Sequence, residues 1–325
     1  MKKYIGCDLG GTNLRAAVVD MQMGQVLAQC SIPTVAREGH AAVMQRMGQL
    51  ILDLIASAGV EMRDLGGIGI GVPGVLDLEK GETLFLPNLP GTWPQVPLQK
   101  TIETITALPT ALLNDVRSIT NGEWLYGAGC GVDTAVVFAI GTGIGGGLVI
   151  NNQLHLGIGG TGGELGHMTI DFNGPKCGCG NYGCLEAYAS GPAIAAMGMK
   201  AVAQGLTTSI GQLCEYDLNR ITPELIAAAA QAGDELANEI FEKAGFYLGV
   251  AAANLCASIG PKRIILAGGV AKAGDLLFAP MQRTMRARVS IMPVDQVEIV
   301  PAQLGNNAGV IGAAAWAHHK YGLME

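Results

Sequence analysis

The sequence predicts an α/β protein of two domains with a cleft between them, and three observations carry that expectation. A chain of 325 residues passes the roughly 250 to 300 residues at which single cores stop growing and chains divide. Short apolar runs of strand length alternate with segments whose apolar residues fall at helical spacing. The pattern strand, glycine-threonine turn, strand occurs twice, as DLGGTNLRAAVV and as IGTGIGGGLVI, which marks two related α/β halves. With 48 glycines, 14% charged and 49% hydrophobic residues, the composition is that of a compact globular chain and excludes a disordered one. A net charge of −7 with no basic run argues against a nucleic-acid partner. The most apolar windows, TAVVFAIGTGIGGGLVI and AGFYLGVAAANLCASIG, are broken by glycine or polar residues and fall short of the roughly 20 apolar residues a bilayer requires. A soluble, cytoplasmic protein without a cleavable signal peptide is expected.

In chain order, KKYIGCDLG reads as a buried strand, GGTN as a turn, LRAAVVD as a second strand and QVLAQCSIPT as a third, together a meander. Between His40 and Gly59, the residues Val43, Met44, Met47, Leu50, Ile51, Leu54, Ile55 and Ala58 fall at helical spacing, so this segment is a helix. GGIGIGVPGV is a buried strand, PLQKTIETITAL a helix, PTALLND a strand ending on Asp115, and VRSITNGEWLYGAG a helix. The opening pattern then restarts: TAVVFAIG is a strand, GTGIGGG a turn and LVINNQ a strand. DELANEIFEKAGFYLGVAAANLCASIG is a long buried helix, followed by the strand RIILAGGV, the helix AKAGDLLFAPMQRTMRARV, the strand VEIVPA and the helix NAGVIGAAAWAHHKYG.

The two glycine turns need a chemical reason. Glycine accepts positive φ and lacks the side chain that would hold a backbone N–H away from an anion, so such loops can ring a phosphate with donors. GTGIGG also has the spacing of a dinucleotide-binding loop, but that loop opens a helix, and the β-branched LVINNQ points instead to a hairpin. No G-x-x-x-x-G-K-[ST] run is present, which argues against a P-loop enzyme. Either turn alone is equally consistent with an ordinary tight turn; two matched turns, each with a threonine, favour phosphate.

CGCGNYGC places Cys177, Cys179 and Cys184 within eight residues. A disulfide framework belongs to short secreted chains, so metal is the better reading. Zinc in a closed structural site takes four ligands, and His167, ten residues before Cys177, is the candidate for the fourth. A site closed by four protein ligands fixes a loop and leaves no position for water. Cys7, Cys30, Cys130, Cys214 and Cys256 are isolated and read as small buried hydrophobes. His40, His155, His318 and His319 read as surface residues.

The run GGTGGELGHMTIDFNGPKCGCGNYGCLEAYASG, with DLGGTN before it, ND after a strand and GTGIGGG between, resembles the ROK family of bacterial sugar kinases and sugar-sensing repressors, in its glucokinase branch. The resemblance spans nearly the whole chain, and its most specific part is E-x-x-H joined to C-x-C-G-x-x-G-C-x-E. It implies a two-domain actin-like (ribonuclease H-like) ATPase fold with an interdomain cleft. The domains would be 1–115 plus 306–325, smaller, and 116–305, larger and carrying the zinc loop. ATP and Mg²⁺ would lie on one side of the cleft and the sugar at its floor, with structural Zn²⁺ beside it.

Residue by residue, the resemblance implies Asp115 as the catalytic base. Phosphoryl transfer to a sugar needs the hydroxyl held in line with the γ-phosphate and a carboxylate to take its proton. Read from the residues alone, Asp115 would be the N-cap of the helix that follows. Asn114 would bind the sugar, and Glu164, His167 and Glu186 would hold its hydroxyls, His167 serving zinc through one ring nitrogen and sugar through the other. Asp8, Gly10, Gly11 and Thr12 match the first phosphate loop, with Asp8 orienting Mg²⁺ through water. Gly141, Thr142 and Gly143 match the second loop, and Gly268 and Gly269 the nucleotide side. Gly74 and Asn88 match loops closing over the sugar, where NLPGTW has one residue, Thr92, more than the family's N-L-x-G-W.

Three functions are therefore weighed. An ATP-dependent hexose kinase, acting on glucose in the first place or else on allose, mannose, fructose or an N-acetylhexosamine, fits every motif, and the family implies a homodimer. A sugar-responsive repressor would carry an N-terminal helix-turn-helix, for which a first strand entered at Lys3 leaves no room; a sugar-sensing regulator without a DNA-binding domain is its remaining form. A dehydrogenase built on GTGIGG requires a helix where a strand is expected.

Overall fold

The computed structural model describes residues 2–322. Among these, ten strands form two five-stranded sheets of the same order and two more pair as a separate hairpin. In the first, β1 (Lys3–Leu9), β2 (Asn13–Asp20) and β3 (Gln25–Pro33) form an antiparallel meander. Helix α1 (His40–Ser57) then returns the chain to β4 (Leu65–Val72), parallel to β1. A hairpin of β5 (Val75–Asp77) and β6 (Glu82–Phe85) and helix α2 (Leu98–Thr106) precede β7 (Thr110–Asn114), parallel to β4. Short links permit only antiparallel neighbours and helical crossovers permit parallel ones, so the strand directions follow from the lengths of the connections, and the observed order is β3-β2-β1-β4-β7.

Helix α3 (Asp115–Tyr126) leads to the second sheet. There β8 (Ala135–Ile140), β9 (Ile144–Ile150) and β10 (Gln153–Leu154) repeat the meander. The chain between β10 and the next strand carries the cysteine loop and helices α4 (Glu186–Ala189), α5 (Gly191–Ala203), α6 (Ile210–Leu213), α7 (Pro223–Gln231) and α8 (Glu235–Ile259). β11 (Arg263–Ala267) pairs parallel with β8, α9 (Asp275–Arg288) crosses over, and β12 (Glu298–Pro301) pairs with β11. The order β10-β9-β8-β11-β12 is that of the first sheet, so the expected pair of related halves is present.

Helix α10 (Ala308–Tyr321) returns to the first sheet and packs on β1, β4 and α3. Glycines permit its close approach. A Cβ on Gly6 or Gly69 would fall inside the carbonyl oxygen of Val310 or Ala313, and one on Gly312 inside that of Ser118. Helix α3 touches strands of both sheets and is the structural link between them.

Several expectations need correction. The strand PTALLND ends at Asn114, and Asp115 opens α3; Asn114 is the N-cap, its Oδ1 accepting from the N–H of Val116 at 3.0 Å and of Arg117 at 3.2 Å. The turn in GTGIGGG is confined to residues 141–143, because Gly145, Gly146 and Gly147 belong to β9, where the missing side chains let Val116, Leu165 and Thr120 pack against the strand. Of the cysteines expected to be buried, Cys130 is exposed and Cys30 half-buried; His318, expected at the surface, is half-buried with its ring edge-on to Tyr4 at 5.0 Å.

Candidate active site

A cavity of about 320 Å³ opens between the ends of the two sheets. Eleven of the residues singled out above line it: Gly74 and Asn88 from the loops after β4 and β6, Asn114 and Asp115 from the β7–α3 junction, Gly141, Thr142 and Gly143 from the β8–β9 turn, Glu164 and His167, Glu186 at the start of α4, and Gly268 after β11. Gly268 is held against the end of β8, where a Cβ would strike the carbonyl of Ile140. Gly269 lies instead in a neighbouring pocket of about 200 Å³ with Glu224 and Lys272.

The first glycine turn, Gly10 to Thr12, is fixed from behind by Thr34: its hydroxyl donates to the carbonyl of Gly10 at 2.6 Å and its N–H to that of Thr12 at 2.8 Å. A Cβ on Gly11 would lie 3.3 Å from the carbonyl of Asn88, so this turn abuts the loop that closes the cavity. Asp8, before the turn, is pushed up to about 6 by burial and by the nearby charge of Asp115, with Arg15 opposing. Asp115 is itself raised, chiefly by burial, against the stabilising N–H of Val116 and the guanidinium of Arg117. Asp8 and the turn 10–12 are not among the residues lining the cavity, but the carboxylate of Asp8 is close enough to feel the charge of Asp115.

Arg117 was not singled out in the sequence. Its side chain is buried, and it donates through Nε and Nη2 to the carbonyl of Gly162, at 2.9 and 2.6 Å, and through Nη2 to Oε1 of Glu164 at 2.7 Å. A buried cation needs such partners, and the arrangement fixes where Glu164 stands. Asn114 is similarly engaged: besides capping α3, its Nδ2 donates to the carbonyl of Gly74 at 3.1 Å. No local pattern separates Arg117 from a solvated arginine, since the signal is the tertiary approach of the 157–164 loop.

The cysteine loop packs beside the cavity. One ligand atom each from His167, Cys177, Cys179 and Cys184 lies within 4.8 Å of the others. Nδ1 of His167 is 3.8 Å from Sγ of Cys177, which leaves Nε2 as the nitrogen on the ring's other side. Glu186 joins the two regions: Oε2 accepts from the N–H of Ile144 at 3.0 Å, at the end of the second glycine turn, and Oε1 is 3.7 Å from Sγ of Cys177. The extra Thr92 is absorbed by positive φ at Thr92 and Trp93, of 51° and 50°, and Trp93 is buried with its carbonyl accepting from the hydroxyl of Thr83 at 2.5 Å.

The sequence pattern of the ROK family matches residues 4–320. The chain belongs to the ROK family. A glucokinase of Halalkalibacterium halodurans is 33% identical over 324 residues, 99% of this chain and 97% of that protein. The crystal structure of a ROK family glucokinase from Streptomyces griseus, in complex with glucose and AMPPNP, superposes with a TM-score of 0.80 at 32% identity, covering 98% of this chain and 99% of that one. A xylose repressor of Bacillus subtilis is 30% identical over 96% of this chain and 76% of its own length. The fold of this ROK protein is therefore the two-domain actin-like ATPase fold. The dinucleotide reading of GTGIGG falls, because the ROK loop joins two antiparallel strands and no helix follows it.

Proposed function

We propose that this ROK protein is an ATP-dependent glucokinase that converts glucose to glucose 6-phosphate. The observation that carries the reading is that Asp115, Asn114, Glu164, His167, Glu186 and the Gly141–Gly143 turn all line one cavity. The similarity to glucokinases over nearly the full length supports the same substrates.

In this reading the sugar hydroxyl to be phosphorylated lies against Asp115, whose raised proton affinity suits it to accept a proton as the oxygen attacks the γ-phosphate. Arg117 holds Glu164, and Glu164, His167 through Nε2, Glu186 and Asn114 bind the remaining hydroxyls. The N–H groups of Gly10 and Gly141 close their own turns, on Asn13 at 3.0 Å and Gly143 at 2.9 Å, so the phosphates are received by the N–H groups of residues 11–12 and 142–143; Gly268 and Gly269 admit the nucleoside, and Gly74 and Asn88 close over the sugar. Asp8 would orient Mg²⁺ through water, and the ion would offset phosphate charge. The domains would divide at residues 1–115 with 306–325 and at 116–305.

The four ligand residues of the cysteine loop fit structural zinc. Bonds of about 2.3 Å directed to the corners of a tetrahedron place two sulfurs about 3.8 Å apart, and Sγ of Cys179 and Cys184 are 3.7 Å apart. Zinc there would hold His167 and the start of α4 in place for the sugar, without touching phosphate. We place the protein in the cytoplasm as a homodimer, which sedimentation of the purified chain tests. The activity is tested by a coupled ADP-release assay over glucose, mannose, fructose, allose and N-acetylhexosamines. Glucose should show the highest kcat/KM; preference for another hexose would displace the substrate, and no ADP release with any of them would end the kinase reading.

A further inference from the structure

Toward the opposite end of α3 from Asp115 lies a second cavity, of about 440 Å³, that shares no lining residue with the first. Its walls come from three elements of both halves: Trp124 and Leu125 from α3, Leu154 and Leu156 from β10 and the chain after it, and Trp316 from α10. Both indole N–H groups are already used, Trp124 donating to the carbonyl of Val132 at 3.1 Å and Trp316 to that of Leu112 at 3.0 Å. The amide of Asn121 donates to the carbonyl of Gly312 at 2.9 Å. What the cavity offers is therefore aromatic and aliphatic surface, with polar groups of Asn152, Gln153 and His319 also lining it.

None of these lining residues is a carboxylate, an ammonium or a guanidinium, and the ammonium of Lys320, which borders them, is already engaged over the Trp316 ring at 5.1 Å, so a charged guest would lose its hydration without a free counter-charge. Size, apolar lining, few polar groups and a position between two domains are the properties of small-molecule sites. We propose that this cavity is a binding site for an uncharged aromatic compound of one or two rings, and that its occupation alters affinity for the sugar. The second part rests on the kinase reading; the first does not.

The route between the two sites is short. Leu156, a wall of the cavity, accepts at its carbonyl from the N–H of Gly162 at 2.6 Å. Gly162 in turn accepts from Arg117, and Arg117 holds Glu164 at 2.7 Å. A guest that displaces the chain at Leu156 moves the acceptor of the guanidinium that fixes Glu164. Coupling of this kind requires that the guest bind the sugar-loaded and sugar-free forms with different affinity.

The test uses indole with the full chain and saturation-transfer NMR. Indole should bind with a Kd below about 1 mM, in the range open to a ligand of its size. Saturating glucose and AMPPNP should not displace it by direct competition. Leu125→Arg, which puts a charge on an exposed wall position of α3, and Leu154→Trp, which fills the space, should each weaken binding at least tenfold. Retained thermal unfolding transitions would show that the variants fold. No binding at 5 mM, full displacement by glucose, or unchanged binding in both variants overturns the site. In the coupled assay, saturating indole should change the glucose KM at least twofold in the wild type and leave it unchanged in Leu125→Arg; an unchanged wild-type KM overturns the coupling. Absence of activity with every hexose defeats the kinase reading, while the NMR result still decides the site.

Discussion

Asp115 combines burial with an interior position at the first residue of α3, where one oxygen accepts the N–H of Val116 at 2.9 Å. Replacing it by Asn keeps the shape and removes the proton acceptor, so kcat should fall by about 10² to 10⁴ while glucose affinity measured by calorimetry stays within a few-fold. Turnover near wild type would remove Asp115 from that role. Its neighbour Asp8 gives a pH effect on stability. The folded value of about 6 lies above the ordinary 3.8, so the folded chain binds the proton more tightly than the unfolded one. The associated stability is present below pH 4 and is lost as pH rises to about 6. Without Mg²⁺ or nucleotide, Asp8→Asn should therefore gain on wild type between pH 4 and pH 7, by up to roughly 3 kcal/mol; a gap between the melting curves that does not change with pH would contradict the raised proton affinity of Asp8. Asp8 and Asp115 were singled out through the motifs of the family resemblance, whereas the residues alone suggested for Asp115 a cap that belongs to Asn114. Arg117 and Thr34 were not singled out, since what distinguishes them is a partner 45 or 24 residues away.

Among the elements, α3 and α10 show most clearly where periodicity stops being informative. Arg117, Ser118, Thr120, Asn121 and Glu123 of α3 are all buried, a polar set that reads as a solvated face until the second sheet and α10 are placed on it. Glu123 illustrates the reason: its carboxylate accepts backbone N–H groups of Ala128, Gln303 and Leu304 at 2.8 to 3.0 Å, so it replaces water for three donors at once. The β5–β6 hairpin also escaped the sequence reading, because strands of three and four residues are too short to display a period of two. The glycines of β1 and β4 were read only as part of buried strands. Their function is spacing: α10 lies so close that Gly69→Val would drive a side chain into the backbone at Ala313. That substitution should lower unfolding stability by about 3 kcal/mol or more, measured by denaturant titration, and a loss below 1 kcal/mol would mean that α10 can move away at little cost.

At the scale of the whole molecule, the repeated sheet order was legible because the same strand-turn-strand signature begins each half, whereas the arrangement of α5, α6 and α7 on the second half was not, since these alanine- and glycine-rich helices carry no motif. The cysteine loop joins the halves of the site chemically. Zinc analysis of protein purified without chelator should give about one ion per chain, and Cys179→Ser should lose most of it. The loss should raise glucose KM, through His167, and also ATP KM, through Glu186, whose Oε2 holds the N–H of Ile144; unchanged KM values in the fraction that stays folded would reduce the loop to a fold staple. The bridge made by Glu186 has one more consequence, which runs in the opposite direction. Binding energies that are coupled are coupled reciprocally. If losing the ion weakens nucleotide affinity by some factor, then nucleotide must strengthen affinity for the ion by that same factor, and AMPPNP should raise the chelator concentration needed to remove half of the zinc at equilibrium.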